Sequence, residues 1–168
     1  SGTGQHAVFF AAALPHLNWQ ASDRTANLAG IQAWLDEASL PNTPAPIAFD
    51  VSAAWPQQRF DAVCSANTLH ILSWAEDERL FAGLPDVMAD DAKLVIYGAF
   101  NYGGKFTSES NAAFDAWLKE RGAQQGIRDF EAIDALAQAA GLPAQTPAAV
   151  VHAAHTERQR GRSAASAT

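Results

Sequence analysis

Ser1-Gly2-Thr3-Gly4-Gln5-His6-Ala7 is the segment of this 168-residue chain that says most about its architecture. Its glycines let the backbone bend tightly and approach a ligand closely. The apolar run that follows predicts a helix over residues 5–14, ended by Pro15, and the start of that helix offers free N–H groups to an anion. The segment therefore predicts a glycine loop at a helix N-terminus, with an ordinary glycine turn as the alternative.

Strand-like and helix-like patterns alternate along the rest of the chain. The predicted strands cover residues 18–21, 45–49, 60–66 and 94–97. The predicted helices cover residues 25–38, 74–81, 111–121 and 130–140. The first has the amphipathic spacing of Leu28, Ile31 and Leu35, and Ser73 and Glu76 form an S-x-x-E capping box before the second. The strand over 60–66 is nearly all apolar, as a strand buried on both faces should be. Strands separated by helices imply parallel pairing with right-handed crossovers, so the sequence predicts an α/β fold.

Composition narrows the range of partners. Hydrophobic residues make up 48% of the chain, enough for a sizeable core, and the formal net charge is −7. An acidic chain repels nucleic-acid phosphates and anionic lipid, so we expect neither as a main partner.

No apolar run reaches the ~18 residues of a membrane-spanning helix. A single cysteine, Cys64, fits a reducing cytoplasm. His152 and His155 lack a third ligand, so we expect no metal site.

Acidic side chains follow two of the predicted strands. Asp23 comes just after the strand over 18–21, where a carboxylate can accept hydrogen bonds from ribose hydroxyls. Asp50 comes at the end of the strand over 45–49 and is followed by Val51. The acid could bind the amino group of an adenine, and the apolar residue could pack on its face. Ligands of open α/β sheets bind where strand ends converge, so these residues and the glycine loop predict one crevice. The alternatives are a helix cap for Asp23 and a turn for Asp50.

Polar residues also follow the strands over 60–66 and 94–97. Asn67 and His70 come after the first of these, and His70 could act as a base near neutral pH, with a structural histidine as the alternative. Tyr97 ends the second strand and is a further candidate base. The predicted substrate pocket comprises Phe100, Asn101, Asn111, Asp115 and Arg128. For Arg128 the alternative is an ion pair at the surface.

Six motifs in this order resemble one family. They are S-G-T-G-Q-H at 1–6, W-Q-x-S-D at 19–23, N-x-x-H-I at 67–71, Y-G-x-F at 97–100, S-N-x-x-F-D at 110–115 and G-I-R-D at 126–129. Over about residues 1–142 the chain resembles the domain-of-unknown-function 938 family of methyltransferase-like proteins. The set of motifs in order is specific, although each motif alone is not.

The resemblance implies a Rossmann-like class I methyltransferase sheet with flanking helices and an S-adenosylmethionine site. It places the methionine part of the cofactor against Gly2, Thr3 and Gly4, and the ribose on Asp23. Asp50 and Val51 would lie near the adenine, and Asn67 under the cofactor. The implied acceptor is a small molecule or a peptide, which neither the motifs nor the family identifies.

Two departures from the family pattern set the expected boundaries. The first strand of the fold would precede Ser1, so we expect residues 1–145 to form an incomplete methyltransferase-like domain without that strand. After Leu142 the sequence no longer resembles the family, so we expect the C-terminal strands to be missing or altered. Residues 146–168 are atypical in composition, and we expect this tail to be disordered. The oligomeric state stays open.

Two other functions fit parts of the sequence. Residues 2–7 satisfy G-x-G-x-x-A and Asp23 suits NAD, which allows an NAD(P)-dependent oxidoreductase. Against this, Tyr102 and Lys105 are spaced Y-x-x-K rather than the Y-x-x-x-K often used for hydride chemistry. The third possibility is a non-catalytic binding protein on the same fold, since no acceptor-site signature follows the strand over 60–66.

Overall fold

The computed structural model describes residues 2–142, in which helices and short strands alternate. The helices are α1 (Gln5–Ala13), α2 (Leu28–Ala38), α3 (Trp74–Val87), α4 (Glu109–Arg121) and α5 (Phe130–Ala139). The strands are β1 (Ser22–Asp23), β2 (Ile47–Ala48), β3 (Phe60–Ala66), β4 (Met88–Tyr97), β5 (Phe100–Asn101) and β6 (Arg128–Asp129). The predicted α/β order is confirmed, and the predicted tail at 146–168 lies outside the described residues.

The strands pair in parallel, as the alternating order predicts. β1 pairs with β2, β3 with β4, and β5 with β6, and between residues 2 and 142 no hydrogen-bonded ladder joins these pairs to one another. The β3–β4 ladder keeps one register from Ala62↔Lys93 to Ala66↔Tyr97. Its strands therefore end side by side, and the N–H of Asn67 donates to the Tyr97 carbonyl at 2.8 Å.

Two apolar clusters hold the elements together. The larger one joins β4 to α3 and α5 through residues such as Phe81, Leu84 and Ile133, and the side chains of Leu94 and Ile96 pack against it. The smaller cluster joins α1, the segment before β1 and α2 through Ala7, Ala21, Ile31 and Leu35. Each cluster lies beside one of the strand pairs whose ends carry the predicted site residues.

One strand prediction was wrong in position. The strand over 18–21 is absent, and pairing with β2 begins only at Ser22. The backbone before it is satisfied differently, because the N–H of Trp19 donates to the Asn42 carbonyl at 2.8 Å and the Gln20 amide to the Ala45 carbonyl at 2.8 Å. Asp23 is consequently part of the strand instead of following it.

The burial expected for residues 60–66 was also wrong. Asp61, Ala62 and Cys64 are exposed, whereas Val63 packs against the larger cluster. Within the described part of the chain, the larger cluster covers only the face of the β3–β4 pair that carries Val63, Leu94 and Ile96. On the other face Val95 and Tyr97 of β4 are about half exposed, at 53% and 49%.

The helix start predicted at Ser73 is confirmed. Its hydroxyl accepts from the N–H of Glu76 at 3.3 Å, and the Glu76 carboxylate accepts from the N–H of Ser73 at 2.7 Å. This reciprocal pair satisfies two of the free N–H groups at the start of α3. None of the helices described between residues 2 and 142 has the length and apolar character of a membrane span.

Candidate functional site

The glycine loop forms at the start of α1, as its sequence predicts. Gly2 and Gly4 both have positive φ angles, +58° and +98°, which L-residues adopt rarely. A Cβ on Gly4 would lie 3.2 Å from the Cα of Ile31 and 3.2 Å from the Cβ of Trp34, both on α2. A Cβ on Gly2 would meet nothing within 4 Å. Gly4 therefore serves the close packing of α1 on α2, whereas Gly2 faces open space.

Asp23 joins the glycine loop to the start of α2. One carboxylate oxygen, Oδ2, accepts from the N–H of Gly2 at 2.9 Å, and Oδ1 accepts from the N–H of Arg24 at 2.8 Å and the Asn27 amide at 2.7 Å. Partial burial alone would raise its pKa, but hydrogen bonds, among them those from Asn27 and Gly2, outweigh this and hold the pKa at about 2. Asp23 is thus an ionised acceptor in contact with the loop.

Arg24 links Asp23 to the second predicted acid. Its Nε lies 3.3 Å from Oδ2 of Asp50, and its Nη2 lies 3.5 Å from Oε1 of Glu76. The other oxygen of Asp50 accepts from the N–H of Ser52 at 2.9 Å, so Asp50 also forms the turn given as its alternative. The loop, Asp23 and Asp50 lie along one edge of the β1–β2 pair, where no sequence pattern had indicated Arg24 and Glu76.

A shallow depression of about 260 Å³ opens beside the glycine loop. Its lining comprises Gly2, Thr3, Ala26, Asn27, Gly30 and Trp34. Asp23 borders it through its contacts with Gly2 and Asn27. Val51, the residue after Asp50, is buried in the larger apolar cluster, where Trp55 packs on Phe49 at 4.8 Å between ring centroids.

Asn67 and His70 meet at the ends of β3 and β4. Asn67 has a φ of +54°, which turns the chain sharply after β3. A Cβ added to Gly98, the residue after β4, would lie 3.8 Å from Oδ1 of Asn67 and 3.9 Å from Nδ1 of His70. A glycine at 98 therefore leaves a gap into which both polar groups face.

His70 is buried, and its environment keeps it neutral. Its side chain is 7% exposed, and its ring lies edge-on to Phe114 at 5.1 Å between centroids. Burial lowers the pKa of His70 below its ordinary value, and the positive charge of Arg128 lowers it further. A neutral imidazole can accept a proton at neutral pH, as a base must. Tyr97, the other candidate base, is half exposed at the end of β4.

Two residues of the predicted substrate pocket lie on β5. Phe100 packs on the larger cluster and lies edge-on to Phe130 at 6.2 Å between centroids. Asn101 is buried, and within residues 2–142 its Oδ1 accepts no hydrogen bond. Asn111 lies apart from them on α4, where its amide donates to the Thr107 hydroxyl at 2.7 Å.

The remaining two pocket residues lie together behind His70. Asp115 is buried on α4 and accepts from the N–H of Ile127 at 2.8 Å and from the ammonium of Lys119 at 2.5 Å. Arg128 on β6 is only 11% exposed in its side chain and pairs with Asp77 of α3, Nε to Oδ2, at 2.6 Å. Their contact with substrate stays a prediction, and the described contacts of both are with the protein.

Asp77 is the residue that sequence reasoning missed here. It is fully buried, and burial raises its pKa while the hydrogen bond and charge of Arg128 oppose that rise. From the sequence alone, Asp77 cannot be distinguished from an ordinary acidic residue in the first turn of α3. Its partner lies 51 residues away, so no local pattern could reveal the pair.

Solved structures share this arrangement of elements. The mitomycin 7-O-methyltransferase MmcR superimposes with a TM-score of 0.75 at 17% identity, over 86% of this chain and 42% of that one. An O-methyltransferase family protein from Burkholderia thailandensis gives a TM-score of 0.74 at 15% identity, over 83% and 43%. A structure described as a pericyclic reaction enzyme gives 0.67 at 16% identity, over 83% and 35%.

These similarities define the class of the fold: it is a Rossmann-like α/β fold of the class I methyltransferase type. The chain spans about two fifths of the length of the two methyltransferases it matches. The chain belongs to the family described as protein of unknown function DUF938, whose profile matches residues 1–151. The resemblance drawn from the motifs is thereby confirmed, and the match extends past the expected limit at residue 142.

Proposed function

We propose that the chain supplies the S-adenosylmethionine site of a methyltransferase whose acceptor is a small molecule or a peptide. The observation that carries this proposal is the direct contact between the glycine loop and Asp23, Gly2 N to Asp23 Oδ2 at 2.9 Å. Because the bent loop and the ionised Asp23 carboxylate are in contact, a ribose bound there could reach both backbone N–H groups and a carboxylate. The methyltransferase type of fold supports the same cofactor.

Local charge favours a cationic cofactor over a dinucleotide. Asp23, Asp50 and Glu76 bring three carboxylates to this edge, and Arg24 is the cation that pairs with the last two. S-adenosylmethionine carries a positive sulfonium and an ammonium group, which acidic surroundings attract. The pyrophosphate of NAD(P) is anionic and would be repelled. The local charge therefore favours the methyltransferase over the oxidoreductase.

The proposed roles of the chain's residues follow from their positions. When bound, the cofactor supplies an electrophilic methyl group on its sulfonium. Gly2, Thr3 and Asp23 would hold it at the ends of α1 and β1, with Asp50 nearer the adenine and Asn67 beneath. His70, neutral at the end of β3, would take the proton from the acceptor as its nucleophile attacks that methyl. Most of the acceleration would come from positioning the two reactants.

Calorimetric titration tests the cofactor directly. We expect heat on adding S-adenosylmethionine or S-adenosylhomocysteine to the protein, and none with NADH. Asp23→Asn removes the negative charge of the carboxylate proposed to accept hydrogen bonds from the ribose hydroxyls. It should weaken binding at least about tenfold, since hydrogen bonds to charged groups contribute roughly 1.5–3 kcal/mol. The matched control is Asp90→Asn, because Asp90 is an exposed acid that pairs with Arg59 at 3.4 Å. Heat with NADH alone would replace this proposal with the oxidoreductase.

A second function is favoured by one comparison. A structure described as a pericyclic reaction enzyme shares the fold, so the fold does not by itself require methyl transfer. The chain would then belong to a protein that binds the cofactor without transferring its methyl. Incubation of the protein with methyl-labelled cofactor and a cell extract separates the two, because labelled product supports the methyltransferase and binding without any label supports the second function.

A further inference from the structure

The side chain of Arg128 connects three separate parts of the chain. Its Nε donates to the Asp77 carboxylate on α3 at 2.6 Å, and its Nη1 donates to the Gly126 carbonyl at 3.0 Å. Its Nη2 donates to the Leu72 carbonyl, directly after the turn that carries His70. A planar guanidinium with fixed donors can hold three such acceptors at once, which an ammonium cannot do with the same geometry.

The turn over Leu69–Ile71 is tied to the same region a second time. The N–H of Gly126 donates to the carbonyl of His70 at 3.0 Å. Gly126 is itself packed against α4, because a Cβ there would lie 2.9 Å from Oδ1 of Asp115. The backbone around His70 is therefore held by the segment over 126–128 at two points, His70 O and Leu72 O.

We propose that Arg128, anchored by the fully buried Asp77, is a positioning residue that fixes the turn bearing His70 at the ends of β3 and β4. This inference rests on the proposed function only for the role of His70 as a base. The placement itself follows from the contacts above. Arg128 would then act on the acceptor's proton through His70, not through contact with the acceptor.

The charged groups around His70 make this role measurable. Arg128 faces it from β6 and lowers its pKa, with Asp77 of α3 behind the guanidinium. Asp115 and Lys119 form a neighbouring ion pair on α4, beside the Phe114 ring that contacts His70. Removing the charge of Arg128 should therefore raise the pKa of His70, whereas an Arg128 that does not face His70 would leave that pKa unchanged in any variant that still folds.

The test is an NMR titration of His70 in the 168-residue chain, its resonance assigned with His70→Gln, together with hydrogen exchange at Gly126. In Asp77→Leu/Arg128→Met, apolar side chains replace the pair, a change that is often neutral or stabilising for buried pairs. We expect the pKa of His70 to rise and the Gly126 amide to exchange at least about tenfold faster, because the local opening free energy falls by one hydrogen-bonded contact. Arg59→Met, an exposed arginine, is the matched control and should change neither.

If the double variant does not fold, Arg128→Lys tests whether Arg128 fixes the turn that bears His70. It keeps the positive charge but cannot span the carbonyls of Leu72 and Gly126, so the pKa of His70 should stay near that of the wild type while Gly126 exchange accelerates. Unchanged exchange at Gly126 in Arg128→Lys, or an unchanged pKa of His70 in a folded double variant, would overturn the proposal. Neither measurement needs the cofactor, so failure here is distinct from failure to bind S-adenosylmethionine.

Discussion

Two sets of charged and polar contacts differ in their exposure to solvent. The first, the corner, comprises Gly2, Asp23, Arg24 and Asn27, and the second, the cluster, comprises Asp77 and Arg128. At the corner, Asp23 accepts from Gly2, Arg24 and Asn27 through contacts that are exposed to solvent. In the cluster, Asp77 is fully buried and Arg128 nearly so. The corner follows a recognisable glycine motif, whereas no local pattern reveals the pairing of Arg128 with Asp77. A local motif can thus reveal an exposed set of contacts, whereas a buried pair between distant residues leaves no local signal in the sequence.

Solvent explains why the two regions should respond differently to change. Exposed ion pairs contribute only about 0–1 kcal/mol, because water competes for both charges. A buried charge that loses its partner cannot be solvated, and it destabilises the fold by several times as much. Changes in the cluster should therefore alter stability first, whereas changes at the corner should alter binding first.

The largest expected effect is on the cluster. Arg128→Met leaves the Asp77 carboxylate buried without a partner, and one of its oxygens, Oδ1, already accepts no hydrogen bond among the described residues. We expect the free energy of unfolding to fall by about 3–5 kcal/mol. Urea denaturation followed by tryptophan fluorescence measures this change.

Arg59→Met provides the matched control for that experiment. Arg59 pairs with Asp90 at 3.4 Å, but the two side chains are 53% and 93% exposed. Its loss should lower the free energy of unfolding by no more than about 1 kcal/mol. Equal effects of the two substitutions would remove the distinction between the cluster and an exposed pair.

Much of the fold and part of the site could be predicted from the sequence. Apolar spacing in α2, the capping box at Ser73 and the apolar segment of β3 are local patterns, and each produced the element it predicts. The partnership of Asp77 with Arg128 could not be predicted, because it depends on packing between residues 51 positions apart. The position of β1 was missed for a related reason, since contacts with Asn42 and Ala45 redirect the backbone before Ser22.

The two glycines of the loop should respond differently to the same substitution. Gly4→Ala combines a φ of +98° with a Cβ only 3.2 Å from the Ile31 Cα, so we expect a loss of about 3 kcal/mol in the free energy of unfolding. Gly2→Ala meets no atom within 4 Å and should lose about 1 kcal/mol, from φ alone. Urea denaturation of both variants tests this, and a larger loss in Gly2→Ala would contradict the packing role of Gly4.

A smaller effect is expected at the start of α3. Ser73→Ala removes the hydroxyl that accepts from the N–H of Glu76 at 3.3 Å, and should lower the free energy of unfolding by about 1 kcal/mol. Ser52→Ala is the control, since the Ser52 hydroxyl accepts only from the exposed Arg79 among its described contacts, and should change stability by less than about 0.5 kcal/mol. Thermal melts monitored by circular dichroism distinguish the two.

The smallest effect on stability is expected at Asp23, and it depends on pH. The pKa of Asp23 is about 2 in the folded chain, below its ordinary 3.8. Ionised Asp23 therefore stabilises the fold above about pH 3.8, and this contribution is lost as the pH falls through about 2. Asp23→Asn should show a shallower fall in melting temperature between those two pH values than the wild type. Parallel acid slopes would mean that Asp23 is not stabilised by its contacts.

The most direct measurement is a crystal structure of the protein soaked with S-adenosylhomocysteine. We expect density along the edge formed by Gly2–Gly4, Asp23 and Asp50, with the ribose hydroxyls within hydrogen-bond distance of the Asp23 carboxylate. Density for the nucleoside at any other part of the surface, or a bound ligand whose ribose does not contact Asp23, would contradict it.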